Sequence, residues 1–199
     1  RLVVIAGNGK AFCAGHDLKQ MRACREEDYY RTLFKQCSKM MLTLNQMPQP
    51  VIAKVQGIAT AAGCQLVAAC DLAVASDDSR FATSGINVGL FCSTPSVPVS
   101  RNLGRKQAME LLLTGNFIDA HTAFQWGLVN RVVAPDELEA ETMEIARQIA
   151  TRRREIDALA ADLIETGMAV WEQDADTSAR LIVRGAANLL GQDGEAAEL

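Results

Sequence analysis

The sequence predicts an α/β fold with its helices gathered toward the C-terminal end. Three observations carry this reading. A β-branched run, "RLVVIAG", opens the chain. From Val51 a strand, a small-residue turn, a helix and another strand follow within about 25 residues, the length of a parallel α/β crossover. Beyond Glu137 the pattern is helical. The 199 residues suffice for one sizeable domain with a buried core. We divide them into an α/β core over 1–134 and a helical region over 135–199.

In order, residues 2–6 read as a strand that runs into the loop "GKAFCAGHDL". Residues 28–46 carry Tyr30, Leu33, Phe34, Cys37, Met40, Met41 and Leu44 at helical spacing, a core stripe, with Pro48 and Pro50 ending the helix. "VIAKVQGIAT" is a short strand closed by Gly57, "AAGCQLVAAC" a buried helix and "DLAVAS" another buried strand. Residues 85–98 read as an irregular but apolar segment, the composition of a pocket wall. "RKQAMELLL" and "DAHTAFQWG" are helices, the second with Gly127 at its C-cap, and "LVNRVV" is a strand. In the C-terminal helical region Leu159, Leu163, Trp171, Leu181, Ile182 and Val183 are the expected core residues, and 191–199 an expected frayed end. Because the chain starts inside a strand-like run without an initiator Met, we expect a portion to precede Arg1.

A hydrophobic fraction of 49% with 22% charge is that of an ordinary globular protein. The net charge of −4 argues against a general nucleic-acid binder, and the cluster Arg152, Arg153 and Arg154 reads as a solvated helix face. No apolar run reaches the roughly 20 residues of a membrane span. Six cysteines without a CxxC pair, beside only His16 and His121, argue against a metal site and for reduced, mostly buried thiols.

The opening loop admits two chemistries. Gly7-Asn8-Gly9 after a strand, with Asp28 about 20 residues on, imitates a dinucleotide fingerprint. The third position is Phe12, however, where close packing of helix on strand demands glycine, so the fingerprint fails. The alternative is an oxyanion hole for a thioester. Backbone amides of small-residue loops can meet one carbonyl oxygen, and a helix N-terminus adds free N–H groups. "AGHDL" and "TAAGC" are two such places.

Four segments, "GKAFCAGHDL", "VQGIATAAGCQLVAACDLAVAS", "FATSGINVGL" and "RKQAMELLLTGNFIDAHTAFQWGLVNRVV", closely resemble the enoyl-CoA hydratase/isomerase, or crotonase, superfamily in order and spacing. Within it, "GINVGLFCSTP" looks most like the branch called enoyl-CoA hydratase domain-containing protein 3. The resemblance implies a ββα spiral core followed by C-terminal helices. It implies an acyl-CoA or enoyl-CoA ligand, with no separate cofactor and no metal, and a homotrimer or dimer of trimers in the cytoplasm or the mitochondrial matrix. It puts the oxyanion amides on His16 and Ala62. Ala14, His16 and Leu18 would border coenzyme A, and Ala62, Gly85 and Asn87 would also contact the substrate.

The two glutamates of the hydratases fall on Gln65 and Gly85. An amide can hold a water but cannot take its proton as a carboxylate does, and glycine can do neither. Lyase or isomerase activity is therefore open, beside a non-catalytic acyl-CoA binder. Gln65→Glu is expected to bring some hydration if the site is otherwise competent. Cys92 is the one pocket-loop residue able to become a base or nucleophile, though with no cation near it in sequence it reads as a buried thiol. The His16 imidazole is either an exposed loop group or an acid–base group. Asp17 reads as a cap and Asp71 as a strand-entry residue.

Overall fold

A computed structural model describes residues 2–152. The chain divides into Leu2–Ala146 and a second unit of Arg1 with Arg147–Leu199, of which 147–152 are described and are helical. Arg153, Arg154 and the core and frayed end expected between 159 and 199 lie outside the described residues.

Strands in the first unit alternate between two sheets. β1 (Val3–Ala6), β3 (Val51–Val55), β5 (Leu72–Ser76) and β8 (Arg131–Val133) form one, paired in parallel in that order. β2 (Ala11–Cys13), β4 (Ile58–Thr60) and β6 (Arg80–Ala82) form a second parallel set, closed by the antiparallel β7 (Ile118–Asp119). The first three turns of the chain each lay one strand in each sheet before helices return it, the expected ββα spiral, and the last inverts the order, with β7 and α6 preceding β8. Val51, Ile52, Ala53 and Val55 have no exposed surface, and such continuous apolar runs are what a parallel sheet covered on both faces requires. Asp71 stands at the entry of β5, where its Oδ2 accepts from the Val51 N–H at 2.7 Å.

"VIAKVQGIAT" forms two strands, not one. At Gly57 (φ 62°) the chain leaves the first sheet for the second, and a Cβ there would lie 2.1 Å from the Lys10 carbonyl oxygen. Gln56 Nε2 donates to the Gly7 carbonyl at 2.8 Å, which ties this crossing to the opening loop. Residues 85–98 are also more regular than expected. A 3-10 turn over Ser84–Val88 precedes a helix over Ser93–Asn102, with Pro95 in its first turn, where an N–H has no intrahelical partner, and Pro98 inside.

The short α1 (Leu18–Ala23) has Asp17 as its N-cap, Oδ1 accepting from the Lys19 and Gln20 amides at 2.8 and 3.1 Å. α2 (Glu27–Gln46) buries Met41 but leaves Met40 exposed, so the stripe is narrower than its spacing suggested. α3 (Ala62–Ala69), the proline-bearing α4 (Ser93–Asn102), α5 (Arg105–Thr114) and α6 (Ala120–Trp126, ending at Gly127) complete the numbered helices. Residues 138–152 are helical. All six cysteines are free. Cys64, Cys70 and Cys92 are buried, whereas Cys13, Cys24 and Cys37 are half-buried, fewer buried thiols than expected.

Candidate functional site

Strand β2 delivers Ala14, Gly15 and His16, and β4 delivers Ala61 and Ala62. Because β2 and β4 are hydrogen-bonded neighbours, the loops at their ends must emerge side by side. Gly15 lies against the start of α3. A Cβ on it would stand 3.1 Å from Ala61 Cβ and 3.2 Å from Ala62 N, and its φ is 89°.

Ala61 holds φ 52° and ψ −118°, a backbone that L-residues rarely adopt and that costs about 1–3 kcal/mol. Its N–H donates to the Ala82 carbonyl at 3.0 Å and its carbonyl accepts from the Gln65 N–H at 3.1 Å. With both groups engaged, the strained residue is clamped, and the next amide, that of Ala62, is turned into the open. Among the described residues neither the His16 nor the Ala62 amide donates to another protein group.

Both residues line one cavity of about 290 Å³. Ala14, Leu18 and Gly85 also line it, with Ser84 and the segment 90–95. A second cavity of about 630 Å³ shares Leu18, Met21, Phe34, Val88 and Leu90 with the first and ends at Arg22 and Tyr30. The shared residues are all apolar. The His16 ring meets Phe34 edge-on, centroids 5.4 Å apart at 67°. Partial burial lowers the His16 pKa below its ordinary 6.5, so the imidazole is neutral at pH 7.

Two expected residues are placed elsewhere. Asn87 donates from Nδ2 to the Gly115 carbonyl at 3.2 Å and does not line the cavity. Gln65 is 5% exposed in the second turn of α3, outside the lining, with its Oε1 buried and without a donor. Gly85 does line the cavity, but the space for a side chain there is filled. A Cβ would stand 2.5 Å from the Leu90 carbonyl oxygen and 2.8 Å from Cys92 Sγ.

Sequence reading missed the wall given by Met21 on α1, a helix too short to show a period, whereas Phe91 falls in the segment read as a pocket wall. The failed dinucleotide fingerprint has a physical reason in the fold: Phe12 is a 7% exposed core residue of β2, not a point of helix contact.

The chain is similar to known proteins in sequence and fold. Residues 1–182 match the family described as "Enoyl-CoA hydratase/isomerase". The chain is 46% identical over 195 residues to enoyl-CoA hydratase domain-containing protein 3, mitochondrial, of Xenopus laevis, covering 98% of this chain and 66% of that protein. It is 50% identical over 159 residues to the human protein of that name, covering 80% of this chain and 52% of the relative. The chain thus spans about half to two thirds of the length of these curated relatives. Among solved structures, an enoyl-CoA hydratase of Mycobacterium smegmatis superposes with a TM-score of 0.78 at 51% identity, covering all of this chain and 76% of that one. The human domain-containing protein 3 superposes with a TM-score of 0.76 at 45% identity, over 97% of this chain and 76% of that one.

Proposed function

Because this chain belongs to the enoyl-CoA hydratase/isomerase family, we propose that it binds an acyl-CoA thioester with its carbonyl oxygen between the His16 and Ala62 amides. One observation carries the reading. Two loops from neighbouring strands bring unpartnered amides to the wall of one cavity, with Gly15 packed on Ala62 N. Two donors aimed at one oxygen stabilise the charge that an enolate puts there. Coenzyme A would leave past 14–18, and the apolar neighbouring cavity would take an acyl chain, as fatty-acid metabolism supplies. A mitochondrial site follows the names of the relatives, and a trimeric assembly follows the superfamily.

A 3-ketoacyl-CoA tests this directly, since its enolate absorbs in the near ultraviolet while its keto form does not. Binding of acetoacetyl-CoA is expected to raise the enolate absorbance. Binding with no such rise would leave the ligand reading intact and overturn the oxyanion hole; no binding would overturn both.

A second reading, a binder without turnover, is favoured by one fact: no carboxylate lines the cavity among the described residues. Hydration of a double bond needs one group to activate water and another to deliver a proton. Gln65→Glu should fold, being isosteric, yet its carboxyl would be buried without a partner and so held neutral. The hydration expected from this change on sequence grounds is therefore no more than a trace. Adding Gly85→Glu should not rescue it, because the Leu90 carbonyl and Cys92 thiol already fill that space; a loss of about 1–3 kcal/mol in stability is expected. Thermal melting and crotonyl-CoA hydration check this. A double variant that melts like the parent and hydrates crotonyl-CoA would refute the steric account.

A further inference from the structure

An enolate can form in this cavity only if something there takes the proton from the carbon next to the thioester. Carboxylates are absent from the wall, and Gln65 has no basic atom. The hydroxyls of Ser84, Ser93 and Thr94 stay protonated at neutral pH, and the Ser84 hydroxyl already shares a hydrogen bond with Thr60 Oγ1 at 2.7 Å. Two titratable side chains remain on the wall, His16 and Cys92.

They are placed differently. The His16 ring is packed edge-on against Phe34, which lines both cavities. Cys92 lines the cavity of about 290 Å³ and not the other, at the residue that precedes α4. Its sulfur lies 2.8 Å from where a Cβ on Gly85 would be, so the thiol occupies the volume that a side chain at 85 would have used. Glycine at 85 is what lets sulfur reach that point. The neighbouring thiol of Cys64 is no competitor: it is fully buried, off the wall, and pushed up to about 12 by burial first and by Cys92 second.

We propose that Cys92 is the proton-transfer residue of this cavity, exchanging the α-proton of a bound acyl-CoA through its Sγ. The proposal rests on the acyl-thioester reading above. In the forward step the α C–H bond breaks and its proton goes to the Cys92 thiolate, forming S–H. The electron pair becomes the enolate double bond, and the charge moves to the oxygen between the His16 and Ala62 amides. The reverse step returns a proton from the thiol after it has exchanged with water. No electrons are gained or lost, and no second reactant is needed. With a proton group at the α-carbon and none for water, the expected chemistry is exchange without hydration.

Octanoyl-CoA in heavy water is the test. Native mass spectrometry first establishes that the protein binds it; failure to bind overturns the thioester reading, and the proposal with it. With binding shown, the wild type is expected to put one or two deuterons into recovered octanoyl-CoA. Cys92→Ser and Cys92→Ala should bind it but exchange at least about 100-fold more slowly, while Cys24→Ser exchanges as the wild type. Bound octanoyl-CoA that gains no deuterium overturns the proposal and leaves binding standing. Exchange that persists in both Cys92 variants also overturns it, and passes the role to His16. Should the variants not fold, the unmutated protein decides the matter. After methyl methanethiosulfonate treatment, exchange should fall in step with labelling of Cys92, mapped on its peptide, and return on reduction; exchange indifferent to that labelling overturns the assignment.

Discussion

Replacing the Ala62 N–H by an ester oxygen, through insertion of lactic acid at that position, is expected to abolish most of the enolate signal of bound acetoacetyl-CoA. One oxyanion donor is worth about 2.7–4 kcal/mol, a factor of about 100 to 1,000. The change is unusually clean at this residue. The Ala62 amide is the first of α3 and has no intrahelical acceptor to lose. The side chain is unchanged, so Gly15 keeps its contact. The one structural cost is a weaker acceptor at the Ala61 carbonyl, which receives the Gln65 N–H at 3.1 Å. That cost, about 0.5–1.5 kcal/mol, appears in the melting temperature and not in the ratio of enolate to keto ligand. A folded ester variant that binds acetoacetyl-CoA and gives the full enolate absorbance would remove Ala62 from the site.

How much of this was legible in the sequence depends on the range of the interaction that sets each feature. The period of α2, the β-branched run of β3, the small residues of α3 and the Asp17 cap are local, and all could be read directly. The loops bearing His16 and Ala62 were legible for the same reason, because strand-end glycines and a small-residue helix start are properties of short segments. The division of strands between two sheets was not. It depends on Gly57 meeting Lys10 across 47 residues of chain, a contact with no local signature. Regularity in 84–102 was hidden by its prolines, of which Pro95 stands in the tolerant first turn of α4 and Pro98 inside it. At position 85 the sequence shows only that a carboxylate is missing. That the vacancy is filled by a sulfur from seven residues further on is a matter of packing, and packing decides what chemistry the cavity can hold.

Gly63→Ala is expected to be the most damaging single-methyl change in the described chain. α3 lies so close on β2 that a Cβ at 63 would stand 1.9 Å from the Cys13 carbonyl oxygen, 2.7 Å from its carbon and 2.9 Å from Cys13 Cβ. Two of these atoms are backbone, and the strand that holds them is paired with β4, so no side-chain rotation relieves the overlap. Either α3 rises off the sheet or β2 breaks its pairing. Over-packing usually costs about 1–3 kcal/mol; with rigid neighbours on both sides we expect about 3 kcal/mol or more, a fall of about 6–12 °C in melting temperature for a chain of this size. The same displacement has a consequence for function. Cys13 runs straight into Ala14, Gly15 and His16, and Gly63 follows Ala62 directly, so a shift at this contact moves the His16 and Ala62 amides apart. Below its melting temperature the variant should still bind acetoacetyl-CoA through the apolar walls yet give a weaker enolate absorbance. Loss of stability with a full enolate signal would mean that the hole survives without this contact. An unchanged melting temperature would mean that α3 and β2 are not packed as described. Gly63 is thus a point where the fold and the proposed oxyanion hole share one contact, and a stability measurement and an optical one on a single variant read both.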